Sequence, residues 1–278
     1  MKPGTIIIAA HNEESVLGRT LDALADLRAD DAVRVIVVCN GCTDGTAAVA
    51  GAHPGVQVVE LAAASKVGAL REGDRRAGPG PRIYLDADIV LTGRAARDVI
   101  DALSAGRLAG RPPQRFDAHR AGWAVRSWYR IRQSLPSISS ALWGAGCYAL
   151  SETGRARFAE FPDLVSDDLF IDSLFSPAEV TIVDTDPVIV TVPRRLADLV
   201  RILRRSYRTQ REVTEQDDGL SDGQRGQLAD LRALVRRSPR RIGDAIVYVL
   251  VIAYARLSAR LTCSPQRWER DRSSRELE

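Results

Sequence analysis

The sequence predicts an α/β protein: a mostly parallel sheet flanked by helices, followed by a C-terminal helical extension. Three observations carry this. Short apolar runs without alternation recur along the first half, as strands buried on both faces of a parallel sheet require. Stretches with helical periodicity separate them, so strand and helix alternate. Polar residues gather just after the runs, where open α/β sheets hold their ligands.

The elements justify this in order. Residues 5–10 (Thr-Ile-Ile-Ile-Ala-Ala) form the first run, and the polar loop His11-Asn12-Glu13-Glu14-Ser15 follows. Val16, Leu17, Leu21 and Leu24 recur at helical spacing and predict one helix over 16–27. Residues 33–38 are the second strand. The turn-rich Cys39-Asn40-Gly41-Cys42-Thr43-Asp44-Gly45-Thr46 leads into a helix. Residues 56–61 are the third strand and 66–75 a further helix. In Ile83-Tyr84-Leu85-Asp86-Ala87-Asp88-Ile89-Val90-Leu91 an apolar strand is broken by two carboxylates one residue apart. Residues 106–133 are less regular, and Arg111-Pro112-Pro113 reads as a loop. Strands over 180–183 and 188–192 and a helix over 196–211 close the α/β part. The expected domains are 1–215 and a helical extension over 216–278, joined by a polar, Gly-bearing linker.

The 278 residues are 45% apolar, enough for a sizeable core and too many for a disordered chain. The net charge of +3 is slight, and no nucleic-acid partner is expected. Arginine carries nearly all the positive charge, since lysine occurs only at Lys2 and Lys66. The pairs Arg194-Arg195, Arg204-Arg205, Arg236-Arg237 and Arg240-Arg241 suit phosphates or an anionic membrane surface, or are simply solvated helix faces. Strand-like residues begin close to Met1, so no secretory signal is expected. Four scattered cysteines point to a reducing compartment. The expected location is cytoplasmic, with peripheral contact at the inner face of the cell membrane. Cys39-x-x-Cys42 lacks the second pair that a zinc site needs.

Asp86 and Asp88 are the centre of the functional reading. Two carboxylates in one crevice repel unless a cation lies between them or one is protonated. Oxygen ligands at this spacing suit Mg2+ or Mn2+ on a phosphate. The other reading is a pair that caps the next helix. Neither a Gly-x-Gly-x-x-Gly nor a Gly-Lys-Ser/Thr loop is present, so any phosphate is held through a metal and scattered side chains. Asp167-Asp168 opens a helical run, where an Asp also serves as an N-cap. The small residues Gly144, Ala145 and Gly146 let a ligand approach the backbone, or mark a tight strand crossing. In the stretch 121–135, Trp123, Trp128 and Tyr129 alternate with arginines. That suits an interface, or a packed surface helix with snorkelling arginines. The apolar stretch 242–254 is short for a membrane span and reads as a core or dimer helix, or as one held against lipid by the preceding arginines.

Taken together and in order, Asn12-Glu13-Glu14, Asn40-Gly41-Cys42-Thr43-Asp44-Gly45-Thr46, Lys66 and Asp86-Ala87-Asp88 resemble a family 2 glycosyltransferase of the GT-A type, whose sheet is Rossmann-like. The resemblance runs from about residue 5 to 211. It implies an inverting, metal-dependent hexosyl transfer from a nucleotide-diphospho-sugar to an acceptor hydroxyl. Asp88 and Asp86 would hold Mg2+ or Mn2+, and Asp168 would be the general base with Asp167 beside it. Ala10, His11, Asn12, Glu13, Asn40, Asp44, Lys66, Asp86 and Ala87 would line the donor site, Gly144 the sugar and acceptor side, and Arg205 and Arg208 would reach the diphosphate. A UDP-sugar is the first expectation, with GDP- and dTDP-sugars as alternatives. The acceptor is a small molecule or lipid-linked, and a homodimer is compatible. Asn40 stands where the family often has Asp, and Cys42 where it has Ser. Arg205 and Arg208 match the Arg-x-x-Arg of related members, and Thr209 stands where the Gln-x-x-Arg-Trp of processive members has Trp. The alternatives are a nucleotidyltransferase-like phosphate-transfer enzyme and a non-catalytic, membrane-associated binding module.

Overall fold

The computed structural model describes residues 2–28, 32–163, 166–216 and 226–261. The chain opens with β1 (Gly4–Ala10), α1 (Glu14–Asp22), α2 (Ala25–Arg28), β2 (Val33–Asn40), α3 (Thr46–Gly51), β3 (Val56–Leu61), α4 (Lys66–Arg76) and β4 (Arg82–Asp86). It continues through α5 (Gly93–Ser104), β5 (Ala109–Arg111), β6 (Gln114–Asp117), α6 (Trp123–Arg132), α7 (Pro136–Ser139), β7 (Cys147–Leu150), α8 (Glu152–Arg155) and α9 (Asp167–Ser173). It closes with β8 (Val180–Ile182), β9 (Val188–Thr191), α10 (Leu196–Gln216), α11 (Gln227–Arg237), a 3-10 turn at Pro239–Arg241, and α12 (Ile242–Leu261).

Seven strands make one sheet in the order β3-β2-β1-β4-β7-β5-β8, and β6 pairs with β9 in a second sheet. β1 is parallel to both β2 and β4, and β2 to β3. β7 runs antiparallel between β4 and β5. The chain steps outward from β1 to β3, then returns to place β4 on the other side of β1. That reversal of strand order opens a crevice at the carboxyl ends of β1 and β4.

The β1 run is buried because both of its faces are covered. Ile6 and Ile8 point into a core with Leu17, Leu21 and Ile100, whereas Ile7 points the other way to Leu70, Tyr84 and Tyr148. α4 lies close on the Ile7 face, since a β-carbon added to Gly73 would come within 2.3 Å of Ile7 Cγ2.

Three expectations change. The helix over 16–27 is two helices, with a break at residues 23 and 24. The Pro112 stretch is not merely a loop, because β5 and β6 flank the two prolines and Arg111 is fully buried. The apolar stretch 242–254 is part of a longer helix reaching Leu261. Two compact units emerge: 1–115 with 142–190, and 116–141 with 191–278. The expected boundary at 215/216 borders residues 217–225, which lie outside the described residues.

In the second unit, α6 turns Trp128 and Tyr129 inward and leaves Trp123 exposed. Trp128 stacks on Tyr248 of α12 at 5.4 Å. α12 packs on both α6 and α10.

Candidate active site

Two loops at the ends of β1 and β2 are tied to each other. Asn12 takes a left-handed backbone (φ 55°), which Asn tolerates better than most residues. Its side chain donates to Thr43 Oγ1 at 3.1 Å and accepts from the Thr43 N–H at 2.7 Å. The Asn12 N–H meets Cys42 Sγ at 3.4 Å, so the thiol does the work of a small turn residue. The Glu13 N–H donates to Thr46 Oγ1 at 2.7 Å. Asn40 is buried and donates its side-chain amide to the Ala10 carbonyl at 2.8 Å, while its backbone carbonyl bonds the His11 ring. Asp44 braces the same loop by accepting from Thr46 and from the Glu14 N–H. Burial works to raise its pKa, but those bonds outweigh it and hold the carboxyl below its ordinary value. Cys39, Cys42 and Cys147 are free thiols, and burial pushes Cys39 up to about 12.

Beyond β4 the chain turns through Asp86, Ala87 and Asp88. α1 anchors this turn, with Thr20 Oγ1 donating to the Ala87 carbonyl at 2.8 Å and an Arg19 guanidinium N–H to the Asp88 carbonyl at 3.2 Å. The Asp86 N–H donates to the Gly146 carbonyl at 2.8 Å. Gly146 has φ 63°, and a β-carbon there would sit 2.5 Å from Ile89 and 3.1 Å from Asp86 Oδ2. The glycine is therefore needed both for its backbone and for room beside the carboxylate.

Lys66 joins the two acidic motifs. Ser65 caps α4, accepting from the Gly68 N–H, and so aims the first side chain of the helix into the crevice. Lys66 Nζ lies 2.8 Å from Asp86 Oδ1 and 2.8 Å from Asp167 Oδ1. Burial works to lower its pKa, but the two carboxylates overcome this and hold it well above its ordinary value. Asp167 is buried and also accepts from the Tyr148 hydroxyl at 2.8 Å. Tyr148 stands opposite Tyr84 in the β4–β7 register and stacks on it at 4.9 Å.

Asp168 Oδ2 accepts from the Gly144 N–H at 2.8 Å, and Oδ1 from the Ser166 hydroxyl at 3.0 Å and the Leu169 N–H at 2.8 Å. Its pKa is raised, first by burial and then by Asp167, against the opposing pull of Lys66 and the Gly144 N–H. A carboxylate with a raised pKa accepts a proton more readily than an ordinary Asp.

Asp86, Asp167, Asp168, Lys66 and Gly144 are thus bound into one network in the first unit. Ala10, His11, Asn12, Glu13, Asn40 and Asp44 form a second, linked group at the neighbouring strand ends. Arg205 lies on α10 in the second unit, and the side chain of Arg208 lies outside the described residues. Tyr148, Thr20 and Arg19 support the site without having been singled out. Only the Tyr148 partnership had a signal, through strand alternation next to Gly144–Gly146.

A switch-point crevice lined by carboxylates, one lysine and paired polar loops is the candidate ligand site of this α/β fold. The sequence model of Glycosyl transferase family 2 matches residues 5–148. The chain belongs to that family, and it is a glycosyltransferase of GT-A fold. A mannosyltransferase from Pyrobaculum calidifontis, solved with GDP-Man and Mn2+, superposes with a TM-score of 0.62 at 18% identity, covering 92% of this chain and 88% of that one. S. aureus TarS 1–349 with UDP-GlcNAc superposes with a TM-score of 0.53 at 13% identity, covering 93% and 81%. At these identities the likeness concerns the fold. No curated protein sequence matches the chain.

Proposed function

We propose that the chain is an inverting glycosyltransferase that moves a hexosyl group from a nucleotide-diphospho-sugar to an acceptor hydroxyl, with Asp168 as general base. The observation that carries this is the Lys66 bridge: it draws the Asp86 end of β4 and the Asp167-Asp168 start of α9 into one crevice. The acceptor oxygen attacks the anomeric carbon, its proton passes to an Asp168 carboxylate oxygen, and the carbon–oxygen bond to the diphosphate breaks. In-line attack inverts the anomeric centre. Asp167 positions Asp168 by anchoring the start of α9 to Lys66 and Tyr148.

Asn12, Glu13, Asp44 and His11 shape the nucleotide side, with Asn40 tying the strand ends beneath them and Ala10 and Ala87 offering backbone. Gly144 holds the base and borders the acceptor side, and Arg205 and Arg208 are the proposed diphosphate contacts. Among the described residues no three His, Cys, Asp or Glu side chains gather as a metal cage. Asp86 and Asp88 supply hard oxygen donors and leave the remaining positions to diphosphate and water, which fits Mg2+ or Mn2+. Asp86 shares its charge with Lys66, so Asp88 is the direct ligand we propose, with Asp86 acting through water or a sugar hydroxyl. A divalent ion there would neutralise the charge that develops on the departing diphosphate.

The experiment is Asp168→Asn. Turnover should fall about 10²–10⁴-fold, the usual worth of a general base, while nucleotide affinity stays within twofold or so. Undiminished turnover would remove Asp168 as the base. UDP, GDP and dTDP titrated with and without Mn2+ would identify the donor base, UDP being the first expectation.

A further inference from the structure

α12 has one apolar face that no other described residue covers. Ile242, Ile246, Val249, Leu250, Tyr254 and Leu257 are each between 46% and 62% exposed. At 3.6 residues per turn they fall within an arc of about 140°, and the helix is about 30 Å long. Between Ile242 and Leu257 no charged residue falls within this arc. The opposite face is committed to the protein. Ala245, Tyr248, Val251 and Ala255 are buried, Tyr248 stacks on Trp128, and Asp244 pairs with Arg130 at 2.7 Å.

Positive charge flanks the helix along the chain. Arg232, Arg236, Arg237 and Arg240 are exposed just before the helix. Arg256, also exposed, lies toward its far end, with its guanidinium over the Tyr207 ring. Among the described residues of α11 and α12 the two acids are engaged, Asp244 by Arg130 and Asp230 by the Ser137 N–H at 2.7 Å.

We propose that this face of α12 docks in the plane of a bilayer surface rich in anionic phospholipid, at the cytoplasmic leaflet. By length and composition the segment Pro239–Ala259 could cross a membrane. Crossing would tear its buried half from α6 and α10, whereas lying in the interface leaves those contacts intact and buries only the exposed arc. The arginines suit phosphate headgroups, which guanidinium binds in bidentate fashion. A second copy of the chain is the poorer occupant. Two parallel α12 helices would bring the Arg232–Arg240 clusters together, and two antiparallel ones would bring each cluster toward Arg256 of the other copy. The proposal stands on the second unit alone and does not depend on the catalytic reading.

The test uses the full chain with sedimenting vesicles of phosphatidylcholine alone or mixed with phosphatidylglycerol. Binding to the mixed vesicles should be at least about tenfold tighter than to the neutral ones and should weaken in high salt. Leu250→Glu combined with Leu257→Glu should abolish binding, and Arg236→Gln combined with Arg240→Gln should weaken it. Both variants should keep the wild-type circular dichroism and melting temperature, since these side chains are exposed. Absence of binding to the mixed vesicles overturns the proposal. So does a wild-type dimer that the Leu250/Leu257 variant dissociates while vesicle binding is unchanged, because the face would then serve self-association.

Discussion

Asp168 and Lys66 show how one residue sets the chemistry of another. With Asp168 as the proposed base, which works only while deprotonated, activity should fall as pH drops through its folded pKa. Burial and Asp167 raise that pKa, so the acid limb of the kcat/KM profile should lie above the ordinary aspartate range near 3.9. Lys66 pulls in the opposite direction and, with its own pKa well above the ordinary value, stays charged across that range. Lys66→Met removes the charge that favours the carboxylate. The limb should then move to higher pH, with Asp86 and Asp167 also losing their shared cation. A limb that stays in place in Lys66→Met would show that Asp168 is not the titrating group.

At the scale of the element, α4 bears on the site through how closely it can approach the sheet. The distance depends on Gly73, which lets the helix sit on Ile7. Gly73→Val would force a buried isoleucine or the helix itself to move, and overpacking of this kind costs about 1–3 kcal/mol. A denaturant midpoint unchanged from wild type would mean that α4 does not pack as described. β1, β2 and β4 were legible in the sequence because each is an apolar run flanked by polar turns, the signature of a strand covered on both faces. β3 was legible because its valines stand between turn residues, although it is a part-exposed edge strand. β5 and β6 were not, since they have three and four residues and border two prolines. Their pairing depends on partners far along the chain, and local pattern does not carry that. The site divides in the same way. The carboxylates and their order were legible as residue types at strand ends. The Lys66 bridge to both Asp86 and Asp167 was not, because it requires the register of β1 with β4 and the placement of α9. Asp44 and Asn40 were legible as polar residues after β2, whereas the bonds by which they tie the two loops together, to Thr46, the Glu14 N–H and the Ala10 carbonyl, were not.

For the whole molecule, every candidate site residue from Ala10 to Asp168 lies in the unit formed by 1–115 and 142–190. Arg205 and Arg208, the proposed diphosphate contacts, belong to the other unit. A ligand stabilises only the structure it binds, by RT ln(1 + [L]/Kd), or about 2.7 kcal/mol at a concentration of 100 Kd. For a domain of 150–250 residues that corresponds to a rise in melting temperature of about 5–10 °C. Scanning calorimetry with the cognate nucleotide and Mn2+ should therefore raise the transition of the first unit. If the units melt separately, the second should shift only to the extent that Arg205 and Arg208 grip the diphosphate. Arg205→Ala combined with Arg208→Ala should then remove the second shift and keep most of the first. Chelating the metal should collapse the first shift, because the carboxylates would then meet the diphosphate without a neutralising cation. A nucleotide shift of equal size in the presence of a chelator would end the metal-dependent reading. Lys66 and the arginines would then be left as the groups that balance the diphosphate charge.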